Sequence, residues 1–263
     1  MADAVIKAWA SAGEDVDERH SARFGRTFRR ISRYVKLAQV GASACLDDVD
    51  RASLGTVGVF LGSGLGNTAD IVPLAEGVLH PDKPWASPMA FAGCVGNAAA
   101  FHVARTLDLN GPNVTVSQEE VSFEAALQEA LLALATGGID HALVGGVDVR
   151  TGDDAVHRAR MNALDVPGVV TEGTGWLLLG REGAGPRCVS AWVRRHAPTL
   201  PSSVTVLPGW RSTAPGVRET RLVPVATALR IVDVLSGREA CAGRVLHLQA
   251  TASGLFGGVE LAL

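Results

Sequence analysis

Apolar positions along this chain fall into short runs closed by glycine and into longer segments with helical periodicity. Strand-like runs cover residues 56–61, 114–116, 142–144, 189–193, 203–207 and 245–248. Helical periodicity covers residues 26–46, 98–107, 125–134 and 226–235, and Gly137 with Gly138 ends the third of these. Because strands and helices alternate, the pattern predicts an α/β fold.

One segment has the setting of a nucleophile elbow, in which a buried strand turns sharply into a helix. Gly111 and Pro112 precede it. The strand residues are Val114, Thr115 and Val116, and the turn residues are Ser117, Gln118, Glu119 and Glu120. No cysteine or serine nucleophile stands at the end of this turn, so the segment lacks the group that gives an elbow its chemistry.

This layout resembles the N-terminal half of the β-ketoacyl synthases of the thiolase superfamily, whose reactive cysteine sits at such a turn. Counted from Gly111-Pro112 and from Gly145-Gly146, the cysteine position falls on Glu120. A carboxylate there cannot form the acyl thioester of that family, because this step needs a thiolate. From the residues alone, Ser117 and Glu120 also fit a capping box, so a purely structural role for the acid stands beside a chemical one.

Four further segments carry the resemblance. They are Gly62-Ser63-Gly64-Leu65-Gly66-Asn67, Ser87 to Asn97, Thr171-Glu172-Gly173-Thr174-Gly175, and Ser253 to Gly258. The first has the wrong spacing for a dinucleotide fingerprint, so its glycines are interpreted as positions where backbone passes close to the core. In the last, Gly254 replaces the phenylalanine that gates the acyl site in the family.

The two proton-handling histidines of condensing enzymes have no counterpart. The alignment places Pro208 at the first position, and no histidine lies between Ala197 and Leu246, where the second belongs. The resemblance therefore implies a noncatalytic subunit of the chain-length-factor type, from a type II polyketide synthase. The short second half resembles the compact subunits associated with aryl polyenes. The implied architecture is a thiolase-like layered α-β-α fold, with an N-terminal half over residues 1–195 and a shortened C-terminal half over residues 196–263.

The family also implies partners. An active ketosynthase would pair through the strand Val114 to Val116, and tunnel contacts are expected at residues 85–95, including Phe91 and Cys94, and at the turn Gln118 to Glu120. The basic face of the first predicted helix is either a solvated surface or a docking patch for an acidic acyl carrier protein. Its residues are Arg26, Arg29, Arg30 and Arg33.

Composition narrows the classes of function. The formal net charge of −3 gives no reason to expect nucleic acid or an anionic membrane as partner, and 47% apolar residues suffice for a sizeable core. No signal-peptide pattern opens the chain, so a cytoplasmic location is expected. The four cysteines and seven histidines show no metal-ligand spacing, and the cysteines are expected to be packed thiols; neither metal nor cofactor is predicted.

Two alternatives remain open. One is an acyl-thioester hydrolase or decarboxylase on the same scaffold, using Cys94 or Glu120 with His102 or His141 as acid or base. Cys94 would lie just before a helix, where the dipole lowers a thiol pKa, but a packed and inert Cys94 is the preferred interpretation. The other alternative is a homodimeric scaffold with no polyketide role.

Overall fold

The computed structural model of this protein describes residues 3–25, 31–82, 88–200, 202–211, 215–216 and 219–263. Its helices are α1 (Val16–Phe24), α2 (Arg33–Cys45), α3 (Thr68–Leu79), α4 (Pro88–Gly93), α5 (Ala98–Leu107), α6 (Ser122–Ala135), α7 (Asp154–Arg160) and α8 (Ala226–Leu235). Its strands are β1 (Ala4–Ala12), β2 (Val57–Gly62), β3 (Asn113–Val116), β4 (His141–Asp148), β5 (Val169–Val170), β6 (Gly173–Gly180), β7 (Arg187–Arg194), β8 (Thr205–Pro208), β9 (Arg221–Leu222), β10 (Arg244–Ala250) and β11 (Phe256–Ala262).

Nine strands form one sheet in the order β3-β2-β4-β6-β1-β7-β11-β10-β8. Only two residue pairs, Ala4 with Cys188 and Val5 with Arg187, join β1 to β7, so the sheet has two parts that meet at this corner. Helices α2 and α5 pack on one face of the first part, while α6 and α8 contact strands of both parts. The molecule is therefore layered, with the middle helices between the two parts of the sheet.

Strands β2, β3 and β4 run parallel, and their carboxyl ends lie side by side. Gly62 pairs with Val116 on one side and with Gly146 on the other. Since ligands of open α/β sheets bind beyond the carboxyl ends of parallel strands, the segments that follow these three strands are the place to look for a site.

Gly62 permits the close approach that brings the helix α6 onto β2. A Cβ added at this glycine would lie 2.4 Å from the carbonyl oxygen of Ser122 and 2.6 Å from the backbone nitrogen of Phe123. Any side chain there would displace backbone, so the tight turn between β3 and α6 depends on glycine in the neighbouring strand. The interpretation of this glycine cluster as a place of close backbone approach is confirmed at Gly62 and at Gly64, whereas a Cβ added at Gly66 would meet nothing within 4 Å, and Gly66 takes a positive φ of 57°.

Several sequence predictions are confirmed and others need correction. The bounds of α5 and α8 match the prediction, and the layered α/β class is confirmed. The strand predicted at 142–144 does not end at Gly145-Gly146 but continues through both glycines to Asp148. The first predicted helix begins at Arg33, capped by Ser32, and residues 26–30 lie outside the described residues.

Two central strands escaped the sequence prediction. The strand β1 lies in the middle of the sheet, and β11 forms an antiparallel hairpin with β10. After residue 195 the described chain adds four strands, β8 to β11, and the helix α8. Among the described helices, none is long and apolar enough to cross a membrane.

Candidate functional site

The turn between β3 and α6 places Glu120 at the carboxyl end of the parallel strands. The predicted capping box is wrong: α6 begins at Ser122, and its N-cap, Val121, makes no side-chain cap. Instead, the Ser122 hydroxyl accepts a 2.8 Å bond from the Gln118 N–H and donates a 2.7 Å bond to the Glu119 carbonyl. Glu119 itself has a positive φ of 52°, which closes the turn and leaves the Glu120 side chain free for another partner.

That partner is Arg211. The Arg211 Nε lies 3.0 Å from Glu120 Oε1, and both side chains are largely buried. Arg211 Nη2 also donates to the carbonyl oxygens of Met161, at 2.5 Å, and Asn162, at 2.6 Å. Its guanidinium stacks on Trp210, with Cζ 4.3 Å from the ring centre. One arginine thus joins the nucleophile-type turn to the segment after α7 and to the segment after β8.

Burial raises the pKa of Glu120, because the carboxylate loses its hydration, and the nearby charge of Arg211 opposes this rise. Glu120 Oε2 has no hydrogen-bond partner among the described residues. The carboxyl group therefore has one oxygen committed to the guanidinium and one oxygen free to meet a donor or to carry a proton.

A cavity of about 390 Å³ opens at this carboxyl group. Its described lining residues are Gly64, Leu65, Glu119, Glu120, Arg160, Met161, Asn162, Pro224, Ala252 and Ser253. None of these is a cysteine or a histidine, so the lining described here offers neither a thiolate nor an imidazole for acyl transfer. It does offer a carboxyl group and hydrogen-bonding groups such as Asn162.

Pro208, the predicted first histidine position, is the last residue of β8 and does not line this cavity. Its carbonyl oxygen accepts hydrogen bonds from Arg230, at 2.9 Å, and from the Glu219 N–H, at 3.1 Å. Arg211, three positions further on, is the residue that reaches Glu120. Arg211 was not predicted from the sequence. The available signal was that a buried acid requires either a cation or a proton.

Two more buried carboxyl groups lie close to the site, and the sequence analysis did not single them out. Asp148 accepts hydrogen bonds from the Ser63 hydroxyl at 2.7 Å, the Gly64 N–H at 3.0 Å and the Leu65 N–H at 2.9 Å. The glycine-rich turn therefore holds the protein's own carboxylate, in the way such turns elsewhere hold phosphate. Glu124 on α6 is fully buried, and burial raises its pKa to about 7.

The structure does not bring the other predicted acid-base and thiol groups to the cavity. Cys94 follows α4 and lies four residues before α5, so it is not at a helix N-terminus, and burial raises the pKa of its thiol. His141 begins β4, at the opposite end of the strand, with Nδ1 2.7 Å from the Leu54 carbonyl oxygen. It lines a separate cavity of about 580 Å³, while His102 lies within α5.

Two of the other cysteines are packed thiols as predicted, whereas Cys241 is only partly buried. Cys45 and Cys188 are buried, and burial raises the pKa of both to about 12. No three histidine, cysteine, aspartate or glutamate side chains within the described ranges form a group that could hold a metal ion.

Arg33 is not a free charge on a basic face. Its guanidinium pairs with Glu172, from the Thr171-Glu172-Gly173 turn, and with Asp17 of α1. The remaining members of the proposed docking patch, Arg26, Arg29 and Arg30, lie outside the described residues. Arg33 is thus a partly exposed member of two ion pairs, and its role as a carrier contact stays a prediction.

Comparison with known proteins shows which family model matches the chain and which structures are similar to it. The sequence model of the β-ketoacyl synthase N-terminal domain matches residues 2–166. A structure titled the ishigamide ketosynthase/chain length factor is similar, with a TM-score of 0.78 and 19% identity, over 99% of each chain. The AntDE:AntF structure is also similar, with a TM-score of 0.77 and 11% identity, over 100% of this chain and 99% of the other. It is described as a type II polyketide synthase acyl-carrier protein in complex with its ketosynthase bound to the hexaketide.

A β-ketoacyl synthase from Burkholderia phymatum STM815 is also similar, with a TM-score of 0.72 and 13% identity over 100% of this chain and 99% of the other. No curated protein sequence matches the chain at a significant level. At these identities the structural likenesses show the shared fold, and the sequence model supplies the family.

Proposed function

The chain belongs to the β-ketoacyl synthase family, and on that premise we propose that it is a noncatalytic subunit of the chain-length-factor type. In this role it pairs with an active ketosynthase and shapes the tunnel that holds the growing acyl chain. One observation carries the proposal: Glu120, to which the sequence count assigns the position of the family's cysteine, forms an ion pair with Arg211.

The chemistry of condensation explains why this observation matters. The acyl group must be held as a thioester, and the decarboxylated nucleophile must be stabilised by hydrogen-bond donors near the thiol. A carboxyl group bound to arginine supplies neither a nucleophilic sulfur nor a good leaving group. The cavity lining described above contains no imidazole to handle the protons.

The open edge of the sheet supports pairing with another subunit. Strand β3 is an edge strand, with β2 on one side and no described strand on the other. Exposed strand edges in natural proteins are covered or paired, because they otherwise recruit other chains. We therefore keep the expected interface, in which Val114, Thr115 and Val116 meet the equivalent strand of the ketosynthase.

The connection between β2 and β3 exposes several large apolar side chains. Helix α3 buries none of its residues, and six large apolar side chains between β2 and β3 are exposed. They are Ile71, Val78, Leu79, Phe91, Val95 and Phe101. Exposed apolar side chains grouped in one segment favour an interaction site, which supports a partner that covers α3 and α4 and draws Phe91 toward its tunnel.

The finer parts of the proposal follow the family. An acyl carrier protein delivers the extender unit to the complex, the product is of the aryl polyene type, and the complex works in the cytoplasm. Arg33 is held in ion pairs with Glu172 and Asp17, so the carrier is proposed to dock on the ketosynthase or on the joint surface.

Co-expression with a full-length ketosynthase tests the proposal. We expect a stable complex on size exclusion, malonyl-carrier consumption by the complex, and none by this chain alone. Robust consumption by the isolated chain, or a failure of the two chains to associate, would refute it.

A second candidate rests on the raised pKa of Glu120 and on its free Oε2, which suit an acid or base in acyl-thioester decarboxylation or hydrolysis. Cys94 does not line the cavity, so the candidate depends on Glu120 alone. Hydrolysis or decarboxylation of malonyl carrier that is lost in Glu120→Gln would establish this activity.

A further inference from the structure

The cavity of about 580 Å³ that His141 lines lies where β4 begins, at the end of the sheet opposite Glu120. We call it the Lys7 cavity, after the lysine of β1 that shares its lining. Its walls combine charged groups with the apolar side chains of Val49 and Leu54. Cavities of roughly 300–1,000 Å³ hold small organic ligands, so this one has the size of a ligand site that the Glu120 chemistry does not use.

A β-bulge brings Lys7 to this cavity. The ladder between β1 and β6 shifts register between Ile6 and Ala8, so Lys7 is an extra residue with no partner opposite it. Bulges of this kind re-aim a side chain out of the regular alternation of a strand. Lys7 is exposed, and its ammonium group makes no ion pair or hydrogen bond with any residue that the structure describes.

Two glycines make room for the Lys7 side chain. A Cβ added at Gly183 would collide with Lys7 Nζ, and one added at Gly180 would lie 3.0 Å from Lys7 Cε. The same point at Gly180 lies 3.2 Å from His141 Nε2. The lysine and the imidazole therefore flank one spot, and the lack of a side chain at Gly180 keeps the space between them open.

The backbone orients the His141 ring. Its Nδ1 lies 2.7 Å from the Leu54 carbonyl oxygen. A carbonyl oxygen only accepts, so Nδ1 carries a proton and Nε2 is the nitrogen left over. Nε2 has no hydrogen-bond partner within the described ranges of the chain. The ring is thus free to accept from a protonated oxyanion or, with a second proton, to donate to an ionised one.

The charges of the lining favour an anion beside Lys7. Asp140 is already engaged, since it accepts from the Thr56 N–H at 2.8 Å and from Arg181 at 3.3 Å. Among the described lining residues, this leaves Lys7 and Glu182 as charges without an ion-pair partner. A lysine ammonium offers three donors and a positive charge, which suit the oxygens of a phosphate or a carboxylate.

We propose that the Lys7 cavity binds a small organic oxyanion. The phosphate or carboxylate group lies between Lys7 and His141, and the apolar body of the ligand contacts Val49 and Leu54. The cavity is larger than one inorganic ion needs, which is why the ligand has an organic part. The inference does not depend on the proposed function, because none of these residues belongs to the Glu120 site.

Calorimetric titration of the full chain with phenyl phosphate and with benzoate tests the proposal and separates the two head groups. At least one of these anions is expected to bind as one equivalent with a Kd below about 1 mM. Lys7→Met should weaken binding at least ~10-fold, because it removes the charge and keeps the length of the side chain. His141→Asn should weaken it ~3-fold or more, since asparagine keeps a donor for the Leu54 carbonyl and lacks Nε2. Glu182→Gln should tighten it.

Lys36→Met is the matched control, because Lys36 pairs with Asp17 and does not line the cavity. It should bind the anion as wild type does, and equal thermal unfolding of the two lysine variants shows that Lys7→Met is folded. Benzylamine, a cation of similar size, should not bind. The proposal is overturned if neither anion binds, if Lys7→Met binds as tightly as Lys36→Met, or if benzylamine binds and Glu182→Gln abolishes that binding.

Discussion

Thr227 donates a 2.7 Å hydrogen bond to Glu124 Oε1, joining α8 to α6 in the interior between the two parts of the sheet. Both residues are fully buried, and Glu124 Oε2 has no partner among the described residues. Burial raises the pKa of Glu124 from 4.5 to about 7, and the nearby charge of Glu120 adds to the rise. A carboxyl group with this surrounding is costly to ionise.

The first prediction concerns the pH dependence of stability. The folded state holds the Glu124 proton between pH 4.5 and about 7, while the unfolded state releases it, so this contribution is fully present below pH 4.5 and lost as the pH rises through 7. Glu124→Gln removes the ionisation cost, and the variant should be more stable than wild type at pH 8 by on the order of 1–3 kcal/mol. Denaturant unfolding at pH 5 and pH 8 measures this.

Glu129→Gln is the matched control, because Glu129 lies on the same helix and is exposed. It should show no such difference between the two pH values. A Glu124→Gln variant that is less stable than wild type by the same amount at both pH values would contradict the prediction, because the loss would then not depend on the charge of the carboxyl group.

A second prediction contrasts Asp148 with Glu124. Asp148 is also fully buried, and burial raises its pKa to about 7 as it does for Glu124, but Asp148 accepts three hydrogen bonds, from Ser63, Gly64 and Leu65. Asp148→Asn replaces one acceptor oxygen by an amide that cannot accept from an N–H, so a loss of roughly 1–3 kcal/mol in unfolding free energy is expected. Chemical denaturation measures this loss, and Asp154→Asn, at an exposed position, is the control. An unchanged midpoint for Asp148→Asn would mean that the turn does not rely on the Asp148 carboxyl group.

A third prediction tests the close approach at Gly62. Gly62→Ala would drive a Cβ to 2.4 Å from the Ser122 carbonyl oxygen, so β2 and α6 would have to separate, at a cost of typically 1–3 kcal/mol or more. Gly77→Ala, in α3, meets nothing within 4 Å and should be neutral or slightly stabilising. Thermal unfolding compares the two, and equal behaviour of both variants would contradict the packing described at this turn.

The fourth prediction addresses the edge strand. The Pro112 and Val116 carbonyl oxygens bond to β2, at Val59 N and Ser63 N respectively, so the backbone groups of Thr115 face the open edge. Thr115→Pro removes an N–H from that edge while sparing the bonds to β2, and it should abolish association with the ketosynthase in a folded protein. Association is measured by size exclusion after co-expression.

Val114→Pro is the comparison variant. The backbone of Val114 faces β2, so proline there removes an N–H on that side and should lower the stability of the chain itself. If Thr115→Pro retains the complex at wild-type affinity, β3 is not the strand through which the subunits pair.

The sequence predicted the parts of the fold that local pattern controls. Helix α8 and strand β3 were found because their apolar periodicity is regular and their ends are marked by turn residues. The strand β1 was missed because Lys7 interrupts its apolar run and its partners, β6 and β7, lie more than 160 residues away along the chain. Its position in the sheet depends on tertiary pairing that no local pattern encodes.

The candidate site was predicted in the same partial way. Counting from glycine motifs correctly placed Glu120 at the end of β3, since those motifs fix the turn. The capping-box interpretation failed because the helix starts two residues later than Glu120, and the acid found a cation 91 positions away. Only the folded chain brings Arg211 to that acid, so the ion pair lay beyond any argument from spacing.

Intact-protein mass spectrometry of the assembled complex, after incubation with an octanoyl-carrier thioester, tests the central claim most directly. The account predicts an octanoyl adduct on the ketosynthase partner and an unchanged mass for this chain, because Glu120 with Arg211 offers no thiolate to acylate. An octanoyl adduct on this chain, localised to Cys94 or to any residue of the Glu120 cavity, would contradict it.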